Sequence, residues 1–167
     1  MKEYLIYVGN LYPHKNIPVL IAAAEKQKID VNIVCARSVF ADRLPKSKYV
    51  HFLGQVSDSQ LVKILRGATA FVFPSLIEGF GLPGLEAMSV GCPVIAARAS
   101  CLPEIYGDAA IYFNPHSPQD LADKIKYLLK NPRARQEYIK RGIAQAQKYS
   151  WGKMARETWQ IYQKKLQ

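Results

Sequence analysis

The amino-acid sequence predicts an α/β fold, a doubly wound parallel sheet of six strands with additional helices at the C-terminal end. The first observation is that short, continuously apolar runs alternate with helical stretches, as in sheets that helices cover on both faces. The second is that the strand pattern stops after residue 113, so that the last helices occupy about 118–167. A length of 167 residues suits one domain, which we expect to span 1–167.

The elements have recognisable start and stop signals. Asn16 is a candidate N-cap for the first helix, with Pro18 in its first turn. Ser57 and Gln60 have the spacing of a capping box at the start of the second helix. The predicted strands are 4–8, 31–35, 49–53, 70–73, 93–96 and 110–113, and the predicted helices are 16–25, 58–67, 83–91 and three after residue 117, divided at Pro132 and Ser150.

Right-handed crossovers between six such strands favour the sheet order 3-2-1-4-5-6. In that order the first and fourth strands are neighbours at the point where the winding reverses, and ligands bind beyond the carboxyl ends of these strands. The sequence therefore predicts functional residues directly after Val8 and directly after Phe73.

The composition is that of a folded globular protein and excludes a disordered chain, because 49% of the residues are hydrophobic and 22% are charged. Three cysteines are too few and too unevenly spaced for a disulfide framework or a zinc cage, which indicates a reducing compartment. The sequence has no apolar run near the ~20 residues of a membrane span, and its start lacks a secretory pattern. We therefore expect a cytoplasmic protein.

The formal net charge of +10 lies entirely in residues 124–167, which carry 12 basic and two acidic side chains. Such a field attracts phosphates of any kind, including anionic lipid head groups. A solvated helical face is one interpretation, and a patch that holds the protein at the inner face of an anionic membrane is the other. Nucleic acid is not an expected partner, because no recognised binding module accompanies the charge.

The segment after the fourth strand, residues 74–86, is the most unusual in the chain. Its glycines at the start of the next helix let backbone approach a ligand closely, and the helix N–H groups and dipole favour an anion there. Glu78 and Glu86 bracket this anion site, where a carboxylate would repel the anion. A more suitable function for both is to accept hydrogen bonds from sugar hydroxyls, because a carboxylate can hold a vicinal diol with its two oxygens.

Lys15 follows the first strand and stands across the expected crevice from the glycine-rich turn. Its ammonium would neutralise phosphate charge there. A lysine, an anion-binding helix start and two diol-binding carboxylates together predict a site for a nucleoside diphosphate that carries a sugar. Each residue has an ordinary alternative, with Lys15 as a solvated lysine and Glu86 as a complement to the helix dipole.

Other features have competing interpretations. Residues 79–84 satisfy G-x-G-x-x-G, the dinucleotide fingerprint, and Arg98 could meet an NADP phosphate. The fingerprint belongs after the first strand, however, and here it follows the fourth, which disfavours an NADP-binding domain. Cys92 is expected to be a small core residue. Trp151 and Trp159 lie eight positions apart on one helical face, which predicts packing in the core.

Four stretches of the sequence resemble one known family, the retaining glycosyltransferases of family 4, group 1, in their nucleotide-sugar half. The similar stretches are 9–15, 78–86, 91–96 and 102–105. The resemblance extends over essentially the whole chain, and its most specific feature is the pair Glu78 and Glu86 with seven residues between them. It implies half of a GT-B architecture, in which two Rossmann-like domains face each other across a cleft.

The resemblance also implies roles for individual residues. By this match Glu86 holds the ribose hydroxyls of the donor, whereas Glu78 contacts the transferred sugar and is catalytic together with the pyrophosphate lysine, Lys15. The other implied donor-binding residues are Gly9, Asn10 and the backbone N–H groups of Phe80, Gly81 and Leu82, with the loop of Gly54, Gln55 and Val56 beside the nucleobase. No metal ion or other cofactor is implied, because the nucleoside diphosphate sugar is a substrate.

Two features depart from the family pattern. Asn10 stands where the family often has a second phosphate-binding arginine, which leaves either weaker phosphate binding or substitution by another cation such as Arg98. The N-terminal acceptor domain is absent from this sequence. The resemblance therefore implies that a separate subunit or a longer chain carries the acceptor half.

The function implied by the resemblance is that of a donor-binding domain. The enzyme would move a hexosyl group from a nucleoside diphosphate sugar to a hydroxyl acceptor with retention of anomeric configuration, in cell-surface polysaccharide or glycolipid synthesis. The isolated domain is expected to be inactive. A stand-alone nucleotide-sugar-binding module without transfer activity is the first alternative, and the NADP-binding domain is the second.

Overall fold

The structure is a computed structural model, and it describes residues 3–36 and 39–165. Six parallel strands form one sheet in the order β3-β2-β1-β4-β5-β6, which confirms the predicted topology. The strands are β1 (Tyr4–Val8), β2 (Asp30–Val34), β3 (Val50–Gly54), β4 (Ala70–Phe73), β5 (Val94–Ala97) and β6 (Ala110–Phe113). The helices are α1 (Ile17–Gln27), α2 (Asp58–Gly67), α3 (Leu82–Ser89), α4 (Leu102–Tyr106), α5 (Pro118–Lys130), α6 (Pro132–Ala146) and α7 (Trp151–Lys165).

The predicted boundaries agree with the structure to within one or two residues, but four short features were not predicted. The helix α4 has only five residues, too few for an apolar period to be visible in the sequence. Three 3-10 turns of three residues each are likewise too short to predict: Pro13–Lys15, Ala41–Arg43 and Gly107–Ala109. The first of these turns matters most, because it carries Lys15 to the carboxyl end of β1.

Asn16 occupies the N-cap position of α1, as predicted, but its side chain does not cap the helix. Its backbone is left-handed (φ 54°), and its side chain makes no hydrogen bond to the first turn. Instead, Asn16 Nδ2 donates to the carbonyl oxygen of Pro115 at 2.8 Å. The residue therefore ties the start of α1 to the loop that follows β6.

The core lies on both faces of the central strands. Every residue of β4 and β5 is buried, and so is the middle of β1. The helices α1 and α5 pack against each other, and α3 packs against α6. Burial of whole strands explains why they appear as continuous apolar runs in the sequence rather than as an alternating pattern.

The helix α6 is anchored to the sheet by polar contacts with backbone carbonyl groups. Arg135 donates from Nη2 to the oxygen of Ala68 at 3.0 Å, just before β4. Gln145 is buried and donates from Nε2 to the oxygen of Ile105 at 2.6 Å, in α4. Arg135 thus holds the N-terminal part of α6 near the start of β4, and Gln145 holds its C-terminal end beside α4, which follows β5.

The helix α7 contradicts one prediction. Trp151 and Trp159 were expected in the core, but their exposed fractions are 71% and 59%, and no residue of this described helix is buried. The apolar period correctly indicated an amphipathic helix, yet a period cannot show whether another surface covers that face. Within residues 3–36 and 39–165, no helix has both the length and the apolar character needed to cross a bilayer.

The capping box of α2 leads to a stability prediction. Ser57 N–H donates to Gln60 Oε1 at 2.9 Å, and Gln60 N–H donates to Ser57 Oγ at 3.4 Å. We expect Ser57→Ala to lower the free energy of unfolding by about 1 kcal/mol, because an N–H at the helix start loses its acceptor. Urea denaturation measures the change. Ser59→Ala is the control, since the Ser59 hydroxyl contacts only that of Ser57; an equal loss in both variants would contradict the prediction.

Candidate functional site

The loops that follow β1 and β4 lie side by side, as the sheet order predicted. The two strands pair in parallel, with Leu5 opposite Ala70 and Ile6 opposite Phe71. The loops are then joined directly, since Leu76 N–H donates to the carbonyl oxygen of His14 at 2.8 Å. The carboxyl ends of these strands therefore open into one shared crevice.

Lys15 and Glu78 form an ion pair across this crevice. Lys15 Nζ donates to Glu78 Oε1 at 2.6 Å, and the exposed fractions of the two side chains are only 14% and 11%. The ammonium also lies 5.9 Å from the ring centroid of Phe73, the last residue of β4. The structure thus brings together the two residues to which the sequence resemblance gave catalytic roles, although the pairing itself was not predicted.

The backbone of Glu78 is held from the far side by the segment after β5. Glu78 N–H donates to Ser100 Oγ at 3.2 Å, while Ser100 Oγ and Cys101 Sγ lie 3.0 and 3.4 Å from the Glu78 carbonyl oxygen, to which they donate. Sequence reasoning missed Ser100 and Cys101, because they lie 22 and 23 positions away and belong to no motif. Their effect is to fix the main chain from which the Glu78 side chain reaches into the crevice.

Tyr106 shapes the glycine-rich turn that precedes α3. Its hydroxyl donates to the carbonyl oxygen of Gly81 at 2.5 Å, and Gly81 has a left-handed backbone (φ 92°) that favours glycine. A Cβ at Gly81 or Gly84 would collide with the Tyr106 side chain, whereas a Cβ at Gly79 would meet nothing within 4 Å. Burial raises the pKa of Tyr106, and nearby Glu78 raises it further, so the hydroxyl stays a donor at neutral pH.

The turn leaves backbone donors without acceptors. In the part of the chain that the structure describes, the N–H groups of Gly79, Phe80, Gly81 and Leu82 donate to no protein acceptor. Leu82 is the first residue of α3, so the positive end of the helix dipole is at the same place. Unpaired amides at a helix start can bind an anion, which is the property predicted for this segment.

A cavity of about 600 Å³ lies beside the crevice, at the carboxyl ends of β1, β2 and β3. It brings Gly9 and Asn10 together with Gln55 and Val56, which the sequence resemblance had placed near the nucleobase. Gly54 ends β3 immediately before this loop but does not line the cavity. Asn10 Oδ1 accepts from the N–H of Tyr12 at 3.3 Å, so the side chain in the place of the family's arginine stabilises its own loop.

Glu86 lies apart from the ion pair. It is exposed on α3 and lines a second cavity of about 770 Å³ between α3 and α7. Phe80 and Leu82 line the same cavity, and the Phe80 ring packs edge-on against Tyr149 with 5.5 Å between ring centroids. The structure therefore separates the two predicted carboxylates into one that is paired within the crevice and one that is open to solvent.

Arg98, the candidate second cation, packs against an aromatic side chain. Its guanidinium carbon lies 5.0 Å from the ring centroid of Tyr112, on the edge strand β6. Burial raises the pKa of the Cys92 thiol to about 12, so this residue remains a protonated core side chain, as expected. No group of three or more potential metal ligands occurs among the residues that the structure describes.

Ser75, directly after β4, carries a polar group that no motif indicated. The residue is fully buried, and among the described residues its Oγ is the buried side-chain polar atom that has no hydrogen-bond partner. Buried hydroxyls normally have a partner, so this one is an unused donor in the turn that leads to Glu78.

Comparisons with known proteins are consistent with this architecture. A sequence model of the family described as "Glycosyl transferases group 1" matches residues 1–145. The O-antigen chain mannosyltransferase B of Escherichia coli is 31% identical over an alignment of 172 positions, which covers 95% of this chain and 45% of that protein. The chain thus spans less than half the length of this curated relative.

Two solved structures support the same assignment. A sucrose-phosphate synthase from Thermosynechococcus elongatus superposes with a TM-score of 0.83 at 26% identity, over 99% of this chain and 46% of that one. The C-terminal domain of a glycosyl transferase group 1 family protein from Francisella tularensis superposes with a TM-score of 0.75 at 26% identity, over 88% of this chain and 86% of that one. These likenesses confirm the predicted α/β fold of half a GT-B protein.

The packing of Tyr106 against the glycine-rich turn is testable. We expect Gly84→Ala to lower the free energy of unfolding by about 1–3 kcal/mol, because the added methyl group displaces the buried Tyr106 ring. Gly79→Ala is the matched control, with an expected change of about 0.5 kcal/mol or less, since its methyl group enters open space. Urea denaturation of both variants compares them, and similar losses would show that Tyr106 does not determine the turn.

Proposed function

The chain belongs to the group 1 glycosyl transferases, and from this premise we propose that it is the donor-binding domain of a retaining enzyme of family 4. The proposed reaction moves a hexosyl group from a nucleoside diphosphate sugar to a hydroxyl acceptor. The observation that carries the proposal is the crevice at the ends of β1 and β4, where the Lys15 ammonium and the unpaired amides before α3 offer donors to a diphosphate. Acceptor recognition would come from a separate subunit or from a further N-terminal domain.

The chemistry that the crevice must perform is stabilisation of a leaving group. When the bond between the sugar C1 and the phosphate oxygen breaks, the diphosphate takes the electron pair and gains negative charge. Lys15 and the N–H groups of Phe80, Gly81 and Leu82 would hold this charge. The acceptor oxygen forms the new bond to C1, and the acceptor proton leaves to the diphosphate or to solvent. The proposal requires no metal ion for these steps.

The remaining donor contacts follow from the placement of the site residues. We assign the nucleobase to the cavity of about 600 Å³ lined by Gly9, Asn10 and Val56, next to Gly54. Glu78 would contact hydroxyls of the transferred sugar, because it lies beside the lysine that would hold the distal phosphate. Glu86, exposed on α3 four residues after Leu82, would accept hydrogen bonds from the ribose hydroxyls.

A mannosyl group is the first candidate for the transferred sugar. The Escherichia coli relative is named an O-antigen chain mannosyltransferase, which supports both this sugar and a role in cell-surface polysaccharide synthesis. Family membership argues against the NADP-binding alternative. The other alternative, a module that binds donor without transfer, predicts tight donor binding with no turnover even when an acceptor half is supplied.

Donor binding can be measured by calorimetry with GDP-mannose, UDP-glucose and ADP-glucose. We expect one donor to bind and Glu86→Ala to weaken it by about tenfold, because the ribose loses a charged acceptor. Glu25→Ala, an exposed glutamate on α1, is the control and should leave the affinity unchanged. Binding of no donor by the wild-type chain, or equal affinities in the two variants, would contradict the proposal.

We further propose that residues 124–165 hold the protein at an anionic membrane from the cytoplasmic side. The 12 basic side chains of the chain's C-terminal part include Lys153, Arg156 and Lys164 on α7. The same helix exposes an apolar face formed by Trp151, Met154, Trp159, Ile161 and Tyr162. Basic residues beside exposed aromatic and aliphatic side chains are typical of helices that lie in the bilayer interface.

Liposome flotation tests the membrane proposal. The chain should float with vesicles of phosphatidylglycerol and phosphatidylethanolamine but not with phosphatidylcholine vesicles, because its charge attracts anionic lipid. Replacing Lys153, Arg156 and Lys164 by Gln should abolish flotation, and so should Trp159→Ala. Replacing Lys26, Lys63 and Arg66 by Gln is the charge-matched control. Equal recovery with both lipids, or equal loss in the control, would contradict the proposal.

A further inference from the structure

We propose that the Lys15–Glu78 ion pair makes the crevice distinguish a nucleoside diphosphate that carries a sugar from the bare nucleoside diphosphate. In this structure Glu78 is paired with Lys15, whereas in the proposed donor complex the sugar hydroxyls donate hydrogen bonds to it. The inference rests on the proposed function and deepens it, because it assigns Glu78 a role in choosing the ligand as well as in contacting the sugar.

A bound diphosphate and the Glu78 carboxylate would compete for one cation, the Lys15 ammonium. Lys15 is the salt-bridge partner of Glu78 among the described residues, at 2.6 Å, and both side chains are nearly enclosed. A phosphate that binds Lys15 takes up part of its single positive charge. The Glu78 carboxylate then faces a second anion with less compensation than before, in a place where water has little access.

The main chain of Glu78 is fixed beside the crevice. Its backbone N–H and carbonyl oxygen are both tied to Ser100, and Cys101 provides another contact to the same carbonyl oxygen. The preceding turn is also fixed, because Leu76 N–H donates to the carbonyl oxygen of His14. With its main chain fixed, the carboxylate can move only by rotation about its own side-chain bonds, and sugar hydroxyls at the phosphate site would give it new donors there.

Only the sugar-bearing ligand brings hydrogen-bond donors for the Glu78 carboxylate. Hydroxyls next to the sugar C1 can donate to a carboxylate, and a carboxylate accepts several such bonds. The bare nucleoside diphosphate has no hydroxyl at this position and carries an additional negative charge on its terminal phosphate. It should bind more weakly for both reasons. After sugar transfer, the nucleoside diphosphate product should therefore bind the crevice more weakly than the donor did.

Three probes separate these effects: GDP, GDP β-methyl ester and GDP-mannose, with the corresponding UDP-glucose series measured in parallel. The methyl ester has the same charge as the sugar nucleotide but none of the sugar hydroxyls. The wild-type chain should bind the sugar nucleotide at least about tenfold more tightly than the methyl ester, and the bare diphosphate least tightly. Equal affinities for the sugar nucleotide and the methyl ester would overturn the inference without any variant.

Glu78→Gln tests the residue itself. Glutamine keeps the shape of the side chain and can still accept a hydrogen bond from Lys15, but it removes the charge that competes with phosphate. We expect the bare diphosphate and the methyl ester to bind about tenfold more tightly than in the wild type, while GDP-mannose changes less. Glu78→Asp, which keeps the charge, should retain the wild-type order of affinities. Thermal unfolding of each variant confirms that it is folded.

Glu86→Gln is the matched control, because the ribose is common to all three probes. It should weaken them by the same factor and leave their ratios unchanged. If Glu78→Gln also shifts all three probes equally, the inference is wrong although the proposed function stands. If the wild-type chain binds neither these probes nor ADP-glucose, the proposed function itself fails.

Discussion

The contact between Lys15 and Glu78 is the interaction on which the site depends. It joins the loop after β1 to the loop after β4, and it can form only because these two strands are neighbours in the sheet. A cation held with little exposure at the point where the winding reverses prepares the crevice for an anion. The same contact makes phosphate binding more costly, because any phosphate that binds Lys15 must share its positive charge with the Glu78 carboxylate.

Residues outside the motif hold the motif in shape. Tyr106 fills the space beside the glycine-rich turn and bonds to Gly81, while Ser100 fixes the backbone of Glu78. Tyr106 lies in α4, and the carbonyl oxygen of Ile105 in the same helix accepts hydrogen bonds from Gln145, near the end of α6, and from Tyr149, just after α6. The C-terminal helices therefore support the crevice from behind, although none of their residues belongs to it.

Strand order, the capping box of α2 and the position of the crevice could all be predicted, because each follows from local pattern combined with a general rule for parallel sheets. The predictions were wrong for two side chains that had more than one possible partner. Asn16 bonds to Pro115 rather than to its own helix, and Trp159 faces solvent rather than the core. In both cases the sequence showed the chemical capacity of the side chain but not the surface that it meets.

The sequence by itself determined the succession of the strands and of the longer helices, the family, and the residue types available for holding a diphosphate sugar. These properties are encoded in hydrophobic period, in turn residues and in short motifs, which act over a few positions along the chain. Only the tertiary structure decided that Lys15 pairs with Glu78 and that the Tyr106 hydroxyl bonds to Gly81. It also decided that Glu86 lines the cavity between α3 and α7. Such contacts join residues 25 to 63 positions apart, and their formation depends on how the sheet and its helices pack.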